Sequence, residues 1–202
     1  MSSAALTLRP AELQDAEEIF RWRNDPVTRA QSFHREAIAW PEHVRWFEKT
    51  LQRQDRILLI GLANGQSLGV VRFDINQPEE AEININLAPE SRGQGYGAEL
   101  IAAGSRRLFE LAPSVRRICA RIKPDNHASL RAFAKAGYLP FAESEYKTLM
   151  LHTSAPQPTG RRAIVRQIMQ FAGANLVVQA ARFLKNFFLA RMLGPSLFGL
   201  WN

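Results

Sequence analysis

The sequence predicts a mixed α/β (α+β) domain over residues 1–152, and three observations carry that prediction. Apolar residues recur at helical spacing early in the chain. Strict alternation marks a strand at residues 81–87. A glycine-rich segment, Arg92-Gly93-Gln94-Gly95-Tyr96-Gly97, separates that strand from a second stretch of helical periodicity.

Taken in order, residues 6–9 read as a short strand and residues 12–22 as a helix, with Leu13, Ala16, Ile19 and Phe20 at helical spacing. Asn24-Asp25-Pro26 interrupts the chain, because proline disfavours a helical residue before it. A second helix starts near Pro41, a favoured first-turn residue, and carries Val44, Phe47 and Leu51 with Trp46 beside them. Residues 56–63 and 67–75 form a hairpin around Asn64-Gly65. After a turn at Pro78-Glu79-Glu80, strand 81–87 puts Ile83, Ile85 and Leu87 on one face and Glu82, Asn84 and Asn86 on the other. Beyond the glycines a helix runs through Leu100, Ile101, Gly104, Leu108 and Leu111, and residues 116–122 form a strand. Asp125 or Asn126 caps the next helix, which passes Phe133 and ends at Gly137. Short strands near 139–142 and 146–152 complete two early helices, a meander and a β-α-β-α-β unit.

Composition narrows the function classes. With 46% hydrophobic and 22% charged residues, the 202-residue chain is an ordinary globular sequence. Its single cysteine, Cys119, excludes an internal disulfide, and no Cys/His spacing predicts a metal site. The amino terminus lacks the apolar core of a signal peptide, so a cytoplasmic location is expected. Of the 26 basic residues behind the net charge of +7, six follow Gly160 with no acidic residue among them. The remaining 20 basic and 19 acidic residues nearly balance, so the main domain carries no basic footprint for nucleic acid. Residues 153–160, Thr-Ser-Ala-Pro-Gln-Pro-Thr-Gly, read as a linker, and 161–202 as a basic, apolar helical tail. The tail's uncharged run, 167–181, holds 15 residues, short of the ~18 needed to span a bilayer. Such a helix suits peripheral contact with the inner face of a membrane.

Glycines between a strand and a helix leave backbone N–H groups free to approach an anion, where the helix start adds positive potential. Arg92 adds a fixed charge, and the combination suits a pyrophosphate. Ala98-Glu99 after Gly97 excludes a P-loop, and G-x-G-x-G spacing departs from the dinucleotide fingerprint.

The R-x-x-G-x-G pattern resembles the acetyl-coenzyme A loop of the GNAT N-acetyltransferases. Asn126-His127-Ala128-Ser129-Leu130-Arg131-Ala132-Phe133-Ala134-Lys135-Ala136-Gly137-Tyr138 is similar to the second signature of that family. The resemblance implies a mostly antiparallel central sheet flanked by about four helices, with acetyl-CoA as co-substrate. It places the backbone of Leu87 and Ala88 against the pantetheine arm and the acetyl carbonyl. The N–H groups of Gly93, Gln94, Gly95, Tyr96 and Gly97, with Arg92, would hold the pyrophosphate. Asn126, Ser129 and Phe133 would lie beside the pantetheine and thiol end.

Acetyl transfer to an amine requires removal of the ammonium proton, stabilisation of the tetrahedral oxyanion and a proton for the departing thiolate. Glu82, at the start of the polar face of strand 81–87, is the candidate base, although that face would equally suit solvent or an arginine partner. The tyrosine that usually protonates the thiolate in this family is replaced by Phe133, which leaves Ser129, Tyr138, Tyr146 or water.

On the acceptor side, Trp22-Arg23-Asn24-Asp25-Pro26-Val27-Thr28-Arg29 and His43-Val44-Arg45-Trp46-Phe47 are similar to the amino-sugar acetyltransferases of pseudaminic and related nonulosonic acid pathways. That branch implies a UDP-linked amino-deoxysugar as the small-molecule acceptor. Arg29, His43, Trp46 and Arg72 are the candidate contacts; the alternative is that Trp46 and Phe47 pack the helix and the arginines solvate the surface. Residues 162–201 resemble the amino-terminal start of polysaccharide flippases, which points to surface-glycan assembly. A homodimer is the candidate assembly. The competing readings are an acetyltransferase for protein amino termini and a non-catalytic acyl-CoA-binding module.

Overall fold

A computed structural model describes residues 6–153. Apart from Thr153, the predicted linker and the tail therefore lie outside the described residues, and the flippase-like segment with them. Seven strands form one sheet in the order β1-β2-β3-β4-β5-β7-β6. Strand β1 is Thr7–Pro10, β2 Arg56–Ala63, β3 Gln66–Gln77, β4 Glu80–Leu87, β5 Arg117–Ile122, β6 Leu139–Glu143 and β7 Lys147–His152. Every pairing is antiparallel except β4 with β5, which the crossover helix α4, Tyr96–Leu111, makes parallel.

Helices α1, Ala16–Asn24, and α3, Trp40–Leu51, cover one face of the sheet, and α4 with α5, His127–Lys135, covers the other. The strand alternation divides two cores accordingly. Leu59, Val71, Phe73 and Ile83 pack with Leu100, Ile101 and Leu108 of α4, while Leu58, Ile60 and Val70 pack with Trp22 and Phe47. The expected count of about four helices omits α2, Pro26–Gln31. Asp25-Pro26 does end α1, but it also starts α2: proline occupies the first turn and the Asp25 carboxylate accepts the Thr28 N–H at 3.0 Å.

The feature that positions the site is a parting of strands. β3 pairs with β4 along its whole length, whereas β5 pairs with β4 only at Glu80, Ala81 and Glu82. From Ile83 onward the β5 side of β4 has no strand against it. Ala88 N–H donates to Leu68 O at 2.9 Å, and the register sets Asn86 opposite Val70 and Leu87 opposite Gly69. Backbone groups in an antiparallel ladder point alternately to and from the partner. The N–H and C=O groups of Ile85 and Leu87, beyond the last bridge to β5 at Glu82, therefore point into the gap.

Candidate functional site

The glycine-rich loop lies at the far end of β4. Gly93 and Gly95 have φ of 76° and 91°, a backbone region that disfavours side chains, and Gly95 is the N-cap of α4. The N–H groups of Gly93, Gln94 and Gly95 make no backbone hydrogen bond, and those of Tyr96 and Gly97 lie in the first turn of α4, where a helix supplies no acceptor. Gln94 folds back on the loop, its amide nitrogen donating to Glu90 O at 2.7 Å. The loop residues 93–95 are exposed. An anion reaching this loop would meet a row of unpaired donors at the positive end of a 16-residue helix.

A cavity of about 640 Å³ opens where β4 and β5 part. Ile83, Asn84, Ile85 and Asn86 form one wall, and Arg121, Ile122 and Lys123, where β5 ends, form another. Asn126, Ser129 and Phe133 of α5 and its cap reach it from one side. Trp46 of α3 and Arg72 of β3, whose guanidinium lies 5.9 Å above the Trp46 ring, line it too. The segment after α2, from Ser32 to Ile38, lines it as well, and Phe33 meets Tyr146 edge-on at 5.8 Å.

Four sequence expectations need correction. Ala88 is buried and spent: its N–H bonds to Leu68 O and its carbonyl accepts from Ser91 N at 2.9 Å, so Ile85 joins Leu87 as the backbone facing the gap. Glu82 does not line the cavity, and its Oε1 accepts from Arg121 Nε and Nη2 at 3.0 and 2.7 Å. Its carboxylate holds Arg121 on the cavity wall, the arginine pairing entertained for that strand face. Tyr138 is 1% exposed, and its hydroxyl lies 2.9 Å from Ser105 Oγ, which itself donates to Ile101 O at 2.7 Å. Burial pushes the Tyr138 phenol above its ordinary range, against the pull of Ser105, and the side chain does not line the cavity. Arg29 does not line the cavity; it reaches Arg35 O at 3.5 Å.

Two further expectations change meaning. His43 borders the cavity but is 2% exposed, and its Nε2–H donates to Ala16 O at 2.9 Å between α1 and α3. Burial holds its imidazole below the ordinary range, so a neutral ring packs among Phe20, Trp40 and Phe47. Arg92 turns away from the loop and pairs with Asp25 at 2.7 Å. The other predicted side chains are gathered at the gap. Asn126 caps α5 through the Ser129 N–H at 3.1 Å, and Phe133 is 3% exposed at the cavity wall. Of Glu82, Ser129 and Tyr138, Ser129 alone lines the cavity.

Sequence reasoning missed Arg23. Its Nη2 donates to His34 O at 2.8 Å, Nη1 is buried without a hydrogen-bond partner, and the side chain lines the cavity with Ile19 one helical turn before it. That i, i+4 relation was readable.

The arrangement has a strand with open backbone groups, a loop of unpaired amides beyond it and a cavity beside it. The sequence matches the acetyltransferase (GNAT) domain family over residues 5–139. The chain belongs to that family. GNAT acetyltransferases use acetyl-CoA as co-substrate, and the seven-strand mixed sheet is their fold.

An N-acetyltransferase 9-like protein of Nematostella vectensis is 36% identical over 106 residues, half of this chain and 52% of that relative. The match thus spans about half the length of the relative. Among solved structures, aminoglycoside acetyltransferase AAC(6')-Ib with coenzyme A aligns at a TM-score of 0.65 and 19% identity, covering 80% of this chain and 98% of that one. Spermidine N-acetyltransferase from Vibrio cholerae, with CoA and spermine, aligns at 0.66 and 18% identity, covering 74% and 96%. At these identities the two structures establish likeness of fold. No helix of the described residues is long and apolar enough to cross a membrane.

Proposed function

We propose that this GNAT domain transfers the acetyl group of acetyl-CoA to the amine of a small acceptor that carries an anionic part, in the class of nucleotide-linked (UDP) amino-deoxysugars used for surface-glycan or nonulosonic acid synthesis. The observation that supports this most is the charge of the cavity. Arg23, Arg72, Arg121 and Lys123 line it against two carboxylates, Glu36 and Glu42, both exposed. Arg72 is paired with Asp74 at 3.0 Å and Arg121 with Glu82, which fixes both guanidinium planes. These ion pairs offset the charge of Arg72 and Arg121 but leave their guanidinium donors fixed, and with Arg23 and Lys123 such donors suit the oxygens of a diphosphate. Spermidine and aminoglycosides, after which the two solved relatives' activities are named, are polycations. Trp46 and Tyr146, each near an arginine, offer ring faces suited to a base.

In this reading the pantetheine arm lies along β4, bonded to Ile85 and Leu87, with its pyrophosphate on the amides of residues 93–97. The acetyl carbonyl would meet a backbone N–H in the gap, where a preoriented donor stabilises developing negative charge. Ser129, which lines the cavity, would supply a proton to the departing thiolate. Glu82 acts through Arg121, as a positioning residue. The tail, the homodimer and a contact with the membrane's inner face belong to the same proposal and await their own tests.

Turnover decides the acceptor. Free coenzyme A release is measured with acetyl-CoA and a panel of UDP-4-amino-deoxysugars, spermidine, an aminoglycoside and a ribosomal-protein amino-terminal peptide. The expected result is turnover on a UDP-amino sugar, with KM raised at least about tenfold by Arg23→Ala or Arg121→Ala. Turnover on the peptide or a polyamine alone contradicts the acceptor class. Acetyl-CoA binding without turnover on any amine favours the binding module.

A further inference from the structure

Arg92 belongs by sequence to the glycine-rich loop, yet its guanidinium serves another element. Nη1 lies 2.7 Å from Asp25 Oδ1, Nη2 donates to Thr28 Oγ1 at 2.8 Å, and Nη2 stands 3.5 Å from Leu87 O. Asp25 Oδ1 also accepts the Thr28 N–H, as the cap of α2. The Thr28 hydroxyl, accepting from Arg92, donates in turn to Asn86 Oδ1 at 3.1 Å. One relay thus joins the loop after β4, the start of α2 and the gap-facing end of β4, across 64 residues of sequence.

What α2 lacks makes the relay matter. None of its six residues is buried, so apolar packing does little to hold it. Besides the relay it has a bond from Lys123 Nζ to Ala30 O at 3.1 Å, the Ser32 hydroxyl bonded back to Thr28 O at 2.8 Å and the long contact of Arg29 with Arg35 O at 3.5 Å. The chain leaving α2 nevertheless forms a wall of the cavity, from Ser32 to Ile38. The far part of that wall is held by α1, through Arg23 Nη2 to His34 O at 2.8 Å and the Asn24 amide to the Ile38 carbonyl and N–H, both at 2.9 Å. The polar bonds at the start of α2 therefore set its near part, at Ser32 and Phe33.

We propose that Arg92 is a positioning residue for the acceptor side, fixing α2 through Asp25 and Thr28, and that the pyrophosphate is held by the backbone amides of residues 93–97 without it. The inference rests on the cofactor reading of the loop but not on the identity of the acceptor. It assigns the arginine of the R-x-x-G-x-G pattern to the wall opposite the coenzyme. Acetyl-CoA binding and acceptor binding then meet in one loop: its amides face the coenzyme and its arginine faces the acceptor wall.

The test pairs two readouts in the full-length protein. Calorimetry gives the acetyl-CoA Kd for wild type, Arg92→Ala, Arg92→Lys, Asp25→Asn and Thr28→Val. Amide hydrogen exchange follows residues 27–38 in the same proteins. The expected result is an acetyl-CoA Kd within about threefold of wild type throughout. Exchange across 27–33 should be at least about tenfold faster in Arg92→Ala and Asp25→Asn, with partial recovery in Arg92→Lys, while Ile38, bonded to Asn24, changes little. Thr28→Val keeps the ion pair and tests the relay should the charge variants fold poorly; it should show a smaller change of the same sign. On any acceptor turned over in the panel above, Arg92→Ala should raise the acceptor KM with the acetyl-CoA KM unchanged. A tenfold or greater loss of acetyl-CoA affinity in Arg92→Ala assigns the charge to the pyrophosphate and overturns the proposal. Unchanged exchange in both charge variants overturns it as well. Neither result depends on whether the acceptor is a sugar nucleotide.

Discussion

Gly95→Ala is expected to weaken acetyl-CoA binding by about 100-fold while costing the fold only about 1–2 kcal/mol. The two effects have separate causes. At φ of 91° any L side chain is strained, which sets the cost in stability. An added Cβ meets nothing within 4 Å of it, so the protein itself does not resist the atom. On the pyrophosphate reading of the loop, the loss of affinity comes from the added atom and the strained turn, which would keep an anion from close approach to the amides. Gly97→Ala is the control. Gly97 lies in regular helix, and its added Cβ would stand 3.4 Å from Leu87 and 3.7 Å from Ala132, ordinary contact distances. It should leave stability within about 0.5 kcal/mol of wild type. Thermal melts and titration calorimetry separate the pair, and equal losses of affinity in both would count against the loop amides as the pyrophosphate site.

The second large effect concerns the thiolate proton. Ser129→Ala should lower kcat by about 100-fold with the KM for acetyl-CoA little changed, the signature of a group needed in the transition state. Tyr138→Phe should leave kcat within about twofold. Its hydroxyl only donates to Ser105, so its removal should cost about 1 kcal/mol of stability. Single-turnover kinetics on the preferred acceptor distinguishes the two variants. A large kcat loss in Tyr138→Phe would return the acid role to that residue.

Tyr138 also shows where the sequence is informative and where it stops. Gly137 announced the end of α5, and it has φ of 92° with Tyr138 N–H bonded to Phe133 O and Gly137 N–H to Ala134 O, both at 3.0 Å. This is a Schellman ending, and such endings commonly pack the residue after the glycine against the one five before it. Phe133 and Tyr138 do so edge-on at 5.0 Å. The glycine was readable from its conformational freedom. The consumption of the tyrosine required the capping geometry as well.

The strands were legible because their alternation reports burial directly, and β2 runs over Arg56–Ala63 as the sequence indicated. Alternation describes side chains, however. Whether a backbone N–H points to β3 or into the gap depends on register, which no residue type encodes. The resemblance therefore points to Ala88, whose N–H is bonded to Leu68 O, while the register turns Ile85 to the gap. Helix α2 escaped notice because six residues without a buried position carry no periodic stripe. His43 could have been read correctly. It lies four residues before Phe47 and seven before Thr50, and all three are buried, which is the packed stripe of α3. The acceptor arginine was harder. Arg23 and Arg29 are both arginines near one break in the chain, and only the turn of α1 distinguishes the one that reaches the cavity.

The central claim is that the gap between β4 and β5 receives acetyl-CoA, and amide hydrogen exchange with and without saturating acetyl-CoA tests it most directly. In the free protein the amides of Ile85, Leu87 and residues 93–97 lack protein partners and should exchange quickly. With acetyl-CoA they should slow together, while the hairpin of β2 and β3, already paired, changes little. Protection that falls elsewhere, or binding that leaves Ile85 and Leu87 as fast as before, would contradict the account.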